Sequence, residues 1–308
     1  MNLLIIYNPE AGGGRARKLL PKIEVYLTEK RLSFETILTK YSGHAIEIAA
    51  NADLTNYDAI IASGGDGTLF EVLNGYYQNT SCESDSENKP PIGLIPNGTG
   101  NAFMKELKLL KSDWKKAIDI IARNQPKALD VGRFVTENKT YYFLNIVGMG
   151  FVSEVAQTAI PLKWMGNAAY TAATLLKLIN LKTQKMQIEV DGDKFKREGV
   201  FAEVANSTYT GTSFLIAPKA KLDDGLLDLV LLNKISRFRL LKVFTSIYDG
   251  SHINYPEIEY IQAKKIKITE ENPTKLIPDG EVLGQTPVEF ECLQRDILFL
   301  WGEDSSQI

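Results

Sequence analysis

Cysteine and histidine are nearly missing from this chain, with two of each in 308 residues. Cys82 and Cys292 are far apart and form no CxxC pair. Neither a disulfide framework nor a thiolate zinc site is expected, and a reducing compartment suits the composition. His44 falls near a predicted helix start and His252 in a polar loop. Neither has triad partners or metal-ligand spacing around it, so both are expected to be surface or capping residues. Long apolar runs are lacking too. No stretch approaches 18 uncharged apolar residues, so no membrane-spanning helix is expected. The apolar opening Asn2–Tyr7 is too short for a secretory leader and has no basic stretch before it. Nor does either charge dominate: Lys+Arg number 35 against 38 Asp+Glu, a net charge of -3. Nucleic-acid binding therefore has no support from overall charge. Contact with an anionic membrane would need local clusters. Arg15/Arg17/Lys18, Lys115/Lys116 and Lys264/Lys265/Lys267 are the candidates, and each also fits a plain solvated face. Internal repeats and long low-complexity tracts are absent.

What is present is alternation. Asn2–Tyr7 has the apolar run of a buried strand, followed by a Pro/Gly loop and a helix over Arg15–Lys30 with Leu19, Leu20, Ile23 and Leu27 on one face. A strand over Phe34–Leu38, a helix over His44–Asn51 and a strand over Ala59–Ala62 follow. The chain continues with a helix over Thr68–Tyr77, a strand over Ile92–Ile95 and a helix over Asp113–Arg123. Gln78–Pro91 is polar and predicts a mobile surface loop. This order predicts an open parallel sheet covered by helices. After Gln125 strands dominate: Leu129–Phe134, Tyr141–Val147, Met186–Val190, Val200–Ala205, Leu227–Leu232, Lys265–Ile268 and Val288–Glu291. Helices are predicted only at Gly166–Leu181 and Arg237–Tyr248. The expected division is residues 1–126 as an α/β domain and 127–294 as an antiparallel β-sandwich. The apolar run Ile297–Trp301 suggests that 295–308 return to the first domain.

Three glycine-bearing loops each follow a predicted parallel strand: Tyr7–Gly14, Ser63–Thr68 and Pro96–Asn101. In open α/β sheets such loops line the ligand crevice, and backbone N–H groups opening a helix favour an anion. None is a P-loop, because no GK[ST] follows, and the GxGxxG spacing is absent. Three together point to phosphate binding. Asp66 sets a carboxylate in the middle loop, where it would repel phosphates unless Mg²⁺ lay between them. In the second domain, Lys221–Gly225 suits either a plain turn or a small Mg²⁺ or Ca²⁺ site. Pro278–Glu281 suits either a hairpin turn or a loop presenting Glu281 as a general base. Asp130 falls on an otherwise apolar strand and needs partners, structural or catalytic.

Together, Ser63–Thr68, Pro96–Asn101, Ala217–Gly225 and Asp279-Gly280-Glu281 resemble the diacylglycerol kinase catalytic superfamily, in particular its soluble bacterial lipid kinases. Asn8-Pro9, Leu129–Gly132, Tyr142–Asn145 and Gly148–Phe151 fit as well, so the resemblance runs nearly the whole chain in order. It implies a first domain like those of NAD kinases and phosphofructokinases, a β-sandwich second domain, and ATP bound in the cleft between them. By position, nucleotide contacts would fall on Asn8, Pro9, Glu10, Ala11, Gly12, Thr39, Gly65, Asp66, Gly67, Thr68, Leu69, Phe70, Glu71 and Thr99. Asp66 would organise the phosphates and catalytic Mg²⁺, Glu281 would accept the proton, and Asp130 would support the metal-water network. A structural Mg²⁺ would use the Asp224 side chain and backbone oxygens of Lys221 and Leu226.

Two departures stand out. Asn101-Ala102-Phe103 replaces the usual Asn-Asp-Phe, and Phe70 replaces a frequent Asn. The expected activity is γ-phosphoryl transfer from ATP to a lipid hydroxyl, with diacylglycerol as acceptor. Alternatives are a sphingoid-base or ceramide kinase, an NAD kinase-like enzyme, or a nucleotide-binding regulator without turnover. Lipid tails would sit near Ile160–Leu181, where Trp164, Met165 and Tyr170 equally suit plain core. A cytoplasmic protein making transient peripheral contact with the inner membrane, and able to pair as a homodimer, completes the expectation.

Overall fold

The computed structural model describes residues 1–81, 89–159, 173, 176–177, 181–211 and 213–302. Cys82, the centre of the predicted 78–91 loop, most of the predicted 166–181 helix, and Trp164, Met165 and Tyr170 lie outside the described residues. The chain forms two compact units, Met1–Leu129 with the segment from Arg295, and Asp130–Gln294.

The first unit is an open parallel sheet. Its strands are β1 (Asn2–Tyr7), β2 (Ser33–Leu38), β3 (Ala59–Gly64) and β4 (Ile92–Pro96), in the order β2-β1-β3-β4. The helices are α1 (Arg15–Glu29), α2 (His44–Asn51), α3 (Asp66–Gln78), α4 (Phe103–Glu106) and α5 (Trp114–Arg123). β1, β3 and β4 are buried along nearly their whole length, which is why they lack in–out alternation. The order places β1 beside β3, where the chain's progress across the sheet reverses. Register sets Tyr7 against Ser63 and Gly64 against Pro96, so three strand ends finish level. The Tyr7 hydroxyl donates to the Ala16 carbonyl at 2.6 Å, and burial pushes its phenol up to about 12.

The second unit is built on antiparallel strand pairs. It contains β5 (Pro126–Thr136), which starts in the first unit, β6 (Lys139–Phe143), β7 (Ile146–Gly150), β8 (Gln184–Val190), β9 (Asp193–Ala205) and β10 (Leu227–Asn233). It continues with β11 (Ile258–Ala263), β12 (Lys265–Glu270), β13 (Ile277–Pro278) and β14 (Val288–Leu300), which ends in the first unit, with helices α6 (Phe151–Ala159) and α7 (Arg237–Ser246). β9 serves three partners: its first half pairs with β8, and its second half runs between β7 and β10. The architecture is the expected one, a parallel α/β unit and an antiparallel sandwich unit.

Several elements differ from the sequence-based expectation. β14 is one strand where two runs were expected: Val288–Glu291 pair with β12, and Phe299 pairs in parallel with Ile92. The polar stretch between them is exposed, and Arg295 takes φ 51 there. The expected 141–147 strand is two, because the Asn145 carbonyl accepts the N–H groups of Asn206 and Ser207. His252 is not at the surface. It is fully buried, with Nε2 2.9 Å from the Ile216 carbonyl oxygen, and burial lowers its pKa. Among the described residues, no helix is long and apolar enough to cross a membrane.

One buried acid breaks the apolar pattern. Glu203 lies on β9 between Phe201 and Ala205, which share its face and belong to an apolar core. Its Oε2 has no hydrogen-bond partner among the described residues. Gly148 of β7 lies opposite, and a side chain there would meet the Glu203 Cγ at 3.6 Å. Burial raises the carboxyl from 4.5 to about 8, so the fold holds it neutral. A raised acid pKa stabilises the fold fully below 4.5, and that stability is lost as pH climbs towards 8. Glu203→Gln is therefore expected to unfold at higher temperature than the parent at pH 8, by the equivalent of about 1–3 kcal/mol, and to match it at pH 4.5. Melting curves at the two pH values check this; an equal difference at both would contradict it.

Candidate active site

On the first unit, the three glycine loops are laced by backbone hydrogen bonds. The Asn8 N–H donates to the Ser63 carbonyl at 2.9 Å. The N–H groups of Asn97 and Gly98 both donate to the Gly64 carbonyl at 3.0 Å, and the Asp66 N–H donates to the Gly100 carbonyl at 3.4 Å. Side chains reinforce the lacing: Asn8 Nδ2 donates to Thr68 Oγ1 at 3.2 Å, and Asn97 Nδ2 to Ser63 Oγ at 3.1 Å. The middle loops touch through bare backbone. A Cβ on Gly98 would lie 2.5 Å from the Gly65 Cα, and one on Gly65 would lie 2.8 Å from the Gly100 carbonyl oxygen. Only glycine fits such an approach.

The structure brings together on this unit the candidates at 8–12, Thr39, 65–71 and Thr99. Thr39 follows β2, and its N–H donates to the Tyr7 carbonyl at 2.8 Å. Glu10 turns back through its N–H to Asn8 Oδ1 at 3.0 Å, and its carboxylate pairs with Arg17. α3 begins at Asp66 rather than at the predicted Thr68, with Gly65 as its cap. Its first-turn N–H groups are of the kind that hold anions. Leu69 and Phe70 are buried, so their route to a ligand is through the backbone. The Glu71 carboxylate accepts the N–H groups of Gly43 and Ala45, at 2.8 and 3.1 Å, and so caps α2.

Asp66 also has work within the fold. Both its carboxylate oxygens accept the Ala102 N–H at 2.8 Å, and Oδ1 accepts the Phe103 N–H at 3.3 Å. This fixes the start of α4, a helix missed in sequence because its cap comes from 36 residues away. Ala102 thus contributes a backbone donor where a second carboxylate was expected by resemblance.

On the second unit, Asp130 is fully buried beneath the 221–226 loop. Its N–H donates to the Leu222 carbonyl at 2.7 Å, and its Oδ2 accepts the Gly225 N–H at 2.6 Å. Asp224 accepts the Leu226 N–H at 3.1 Å. Burial raises the Asp224 carboxyl, the Leu226 N–H opposes that, and Asp130 adds to it. Burial also pushes the Asp228 carboxyl up to about 6, and the Cys292 thiol up to about 12 with Asp130 and Asp224 contributing. Negative charge is therefore crowded at this loop. Among the described residues, no three His, Cys, Asp or Glu side chains form a metal cluster. A cation here would rest on Asp224 with the carbonyls of Lys221 and Leu226, an all-oxygen set that fits Mg²⁺.

Glu281 is exposed just beyond a tight turn in which Asp279 and Gly280 take φ 47 and 87. The turn hangs on β7: Asp279 N–H donates to the Ile146 carbonyl at 3.1 Å, and its Oδ1 accepts the Ile146 N–H at 3.3 Å. Asn206 was missed in sequence. It is fully buried, and Nδ2 donates to the carbonyls of Asp130 and Leu144 at 3.0 and 3.2 Å, while Oδ1 has no partner among the described residues. Its one signal was an amide ending the apolar run Val200–Ala205.

Comparison with known proteins covers the same ground. Residues 2–134 match the diacylglycerol kinase catalytic domain, and residues 145–300 match the YegS C-terminal NAD kinase beta sandwich-like domain. The chain is 32% identical over 306 residues to a diacylglycerol kinase of Bacillus subtilis (strain 168), covering 98% of this chain and 97% of that one. It is 33% identical over 297 residues to a diacylglycerol kinase of Staphylococcus aureus (strain MRSA252), covering 95% and 90%. Two crystal structures from Bacillus anthracis str. Sterne share the fold. One has a TM-score of 0.79 at 27% identity, covering 98% of this chain and 95% of the other. The second, of a diacylglycerol kinase, has a TM-score of 0.70 at 25% identity, covering 98% and 97%.

The loop geometry makes a direct prediction. Gly98→Ala puts a methyl against backbone that cannot turn aside, and should destabilise the protein by about 1–3 kcal/mol. Urea unfolding measures it; an unchanged midpoint would mean that the two loops do not meet as described.

Proposed function

The chain belongs to the diacylglycerol kinase family of ATP-dependent lipid kinases, and on that premise we propose that it moves the γ-phosphoryl group of ATP to the free hydroxyl of diacylglycerol. The observation that carries the proposal is the lacing of three glycine loops at the level ends of β1, β3 and β4. Closely set backbone donors suit a chain of phosphates and stabilise charge on the transferring group.

The roles follow from the chemistry of each residue. Asn8 to Gly12, Thr39, Gly65 to Glu71 and Thr99 receive the nucleotide. Asp66, fixed by the Ala102 and Phe103 N–H groups, keeps a carboxylate in a set orientation beside the phosphates. Glu281 takes the proton of the attacking hydroxyl. It suits that role because it is exposed on a turn whose backbone is pinned to Ile146. Asp130 and Asn206 steady the 221–226 loop and the neighbouring strand ends from below. Mg²⁺, when bound, neutralises phosphate charge and, at Asp224 with the Lys221 and Leu226 carbonyls, offsets the crowded carboxylates of that loop. A lipid acceptor also implies transient contact with the cytoplasmic face of the membrane.

Glu281→Gln and Asp66→Ala should each lower kcat by about 10²–10⁴-fold. Glu281→Gln should still bind an ATP analogue with parental affinity. Transfer of label from radioactive ATP to a panel of lipids gives both the rates and the acceptor. Equal rates in all three proteins would remove these roles, and a labelled sphingoid base or ceramide in place of phosphatidate would correct the acceptor.

A further inference from the structure

A hollow of about 620 Å³ opens on the first unit, with Arg15, Leu19, Asn97, Leu110, Lys111 and Trp114 in its lining. Its charge is one-sided. Arg15 Nε donates to the Gly12 carbonyl at 2.8 Å, and neither Arg15 nor Lys111 has an acidic partner among the described residues. Asp113, the nearest carboxylate in sequence, already accepts the Leu110 N–H at 3.0 Å and Lys116 Nζ at 3.1 Å. Burial lowers the Lys111 ammonium, and the Arg15 charge lowers it further, so the two cations act on each other. Like charges held side by side are a cost that a bound anion removes.

Three other basic residues in this part of the chain are engaged elsewhere. Arg17 pairs with Glu10, Lys116 with Asp113, and Lys115 lies over the Tyr26 and Trp114 rings. Arg15 and Lys111, 96 positions apart in sequence, are left to share the hollow. Apart from Asn97 and Ser112, the rest of the wall is apolar. Leu19 and Trp114 form part of it, and Leu110 stands 67% exposed beside the two cations. A bare inorganic anion would leave that surface unused.

We propose that this hollow binds a phosphate carried on an aliphatic body, with Arg15 and Lys111 taking the phosphate and Leu110, Leu19 and Trp114 the hydrocarbon. This extends the membrane-contact part of the functional reading. It is measured without turnover, so lost binding in an active kinase would reject the hollow alone.

The probe is hexyl phosphate, titrated by calorimetry into the full chain with its nucleotide site filled by adenylyl imidodiphosphate. Saturable one-to-one binding is expected, weakened by about tenfold or more in Arg15→Gln/Lys111→Gln. Leu110→Ser should weaken hexyl phosphate but not inorganic phosphate. Melting temperatures equal to the parent's show that the variants fold. Phosphatidylcholine vesicles with and without phosphatidylglycerol separate the sources. Anion-dependent sedimentation of the parent, lost in the double variant, points to a membrane lipid; hexyl phosphate binding without sedimentation points to a soluble ligand. No saturable binding, equal binding by the double variant, or inorganic phosphate binding as tightly as hexyl phosphate overturns the proposal.

Discussion

The contact of one bare backbone with another, Gly65 against Gly98, is the constraint on which the first unit's chemistry depends. With no side chain on either residue, the loop after β3 and the loop after β4 close to a distance that a Cβ would forbid. The Gly64 carbonyl then reaches two N–H groups of the next loop, and the Ser63 carbonyl reaches Asn8. Three strand ends become one polar surface made mostly of main chain. Such a surface costs little to reorganise when charge develops on a ligand, which is what phosphoryl transfer demands. The same closeness positions Asp66, whose carboxylate starts α4 through the Ala102 and Phe103 N–H groups.

In the second unit the organising group is the buried Asp130 carboxylate. It is held by the Gly225 N–H, while its own carbonyl accepts Asn206. Asn206 in turn ties down Leu144, where the strand run breaks into β6 and β7. The break leaves Ile146 free to carry the Asp279 turn, and so Glu281. A chain of polar contacts thus links the crowded acidic loop to the exposed glutamate within one unit. Each member is buried or pinned, as buried polar groups must be when their hydration is given up.

The parallel strands were legible because burial on both faces leaves an apolar run that needs no long-range information. The glycine loops were legible because Gly-Gly-Asp-Gly-Thr and Asn-Gly-Thr-Gly-Asn are rare without a backbone reason. What was not legible depends on distant partners. α4 needs Asp66, the division of β6 from β7 needs Asn206 and Ser207, and β11 alternates too weakly to stand out before its pairing with β10 is known. The burial of His252 follows from the Ile216 carbonyl, which no local pattern predicts. Arg15 and Lys111 are far apart in sequence, so their shared hollow appears only in three dimensions.

The central claim is that the three loops of the first unit act as a single nucleotide site. Amide hydrogen exchange with and without an ATP analogue tests it most directly. The account predicts that nucleotide slows exchange in residues 8–12, 65–71 and 97–102 together, over one concentration range. Protection of only one of these segments, or of none, would contradict it.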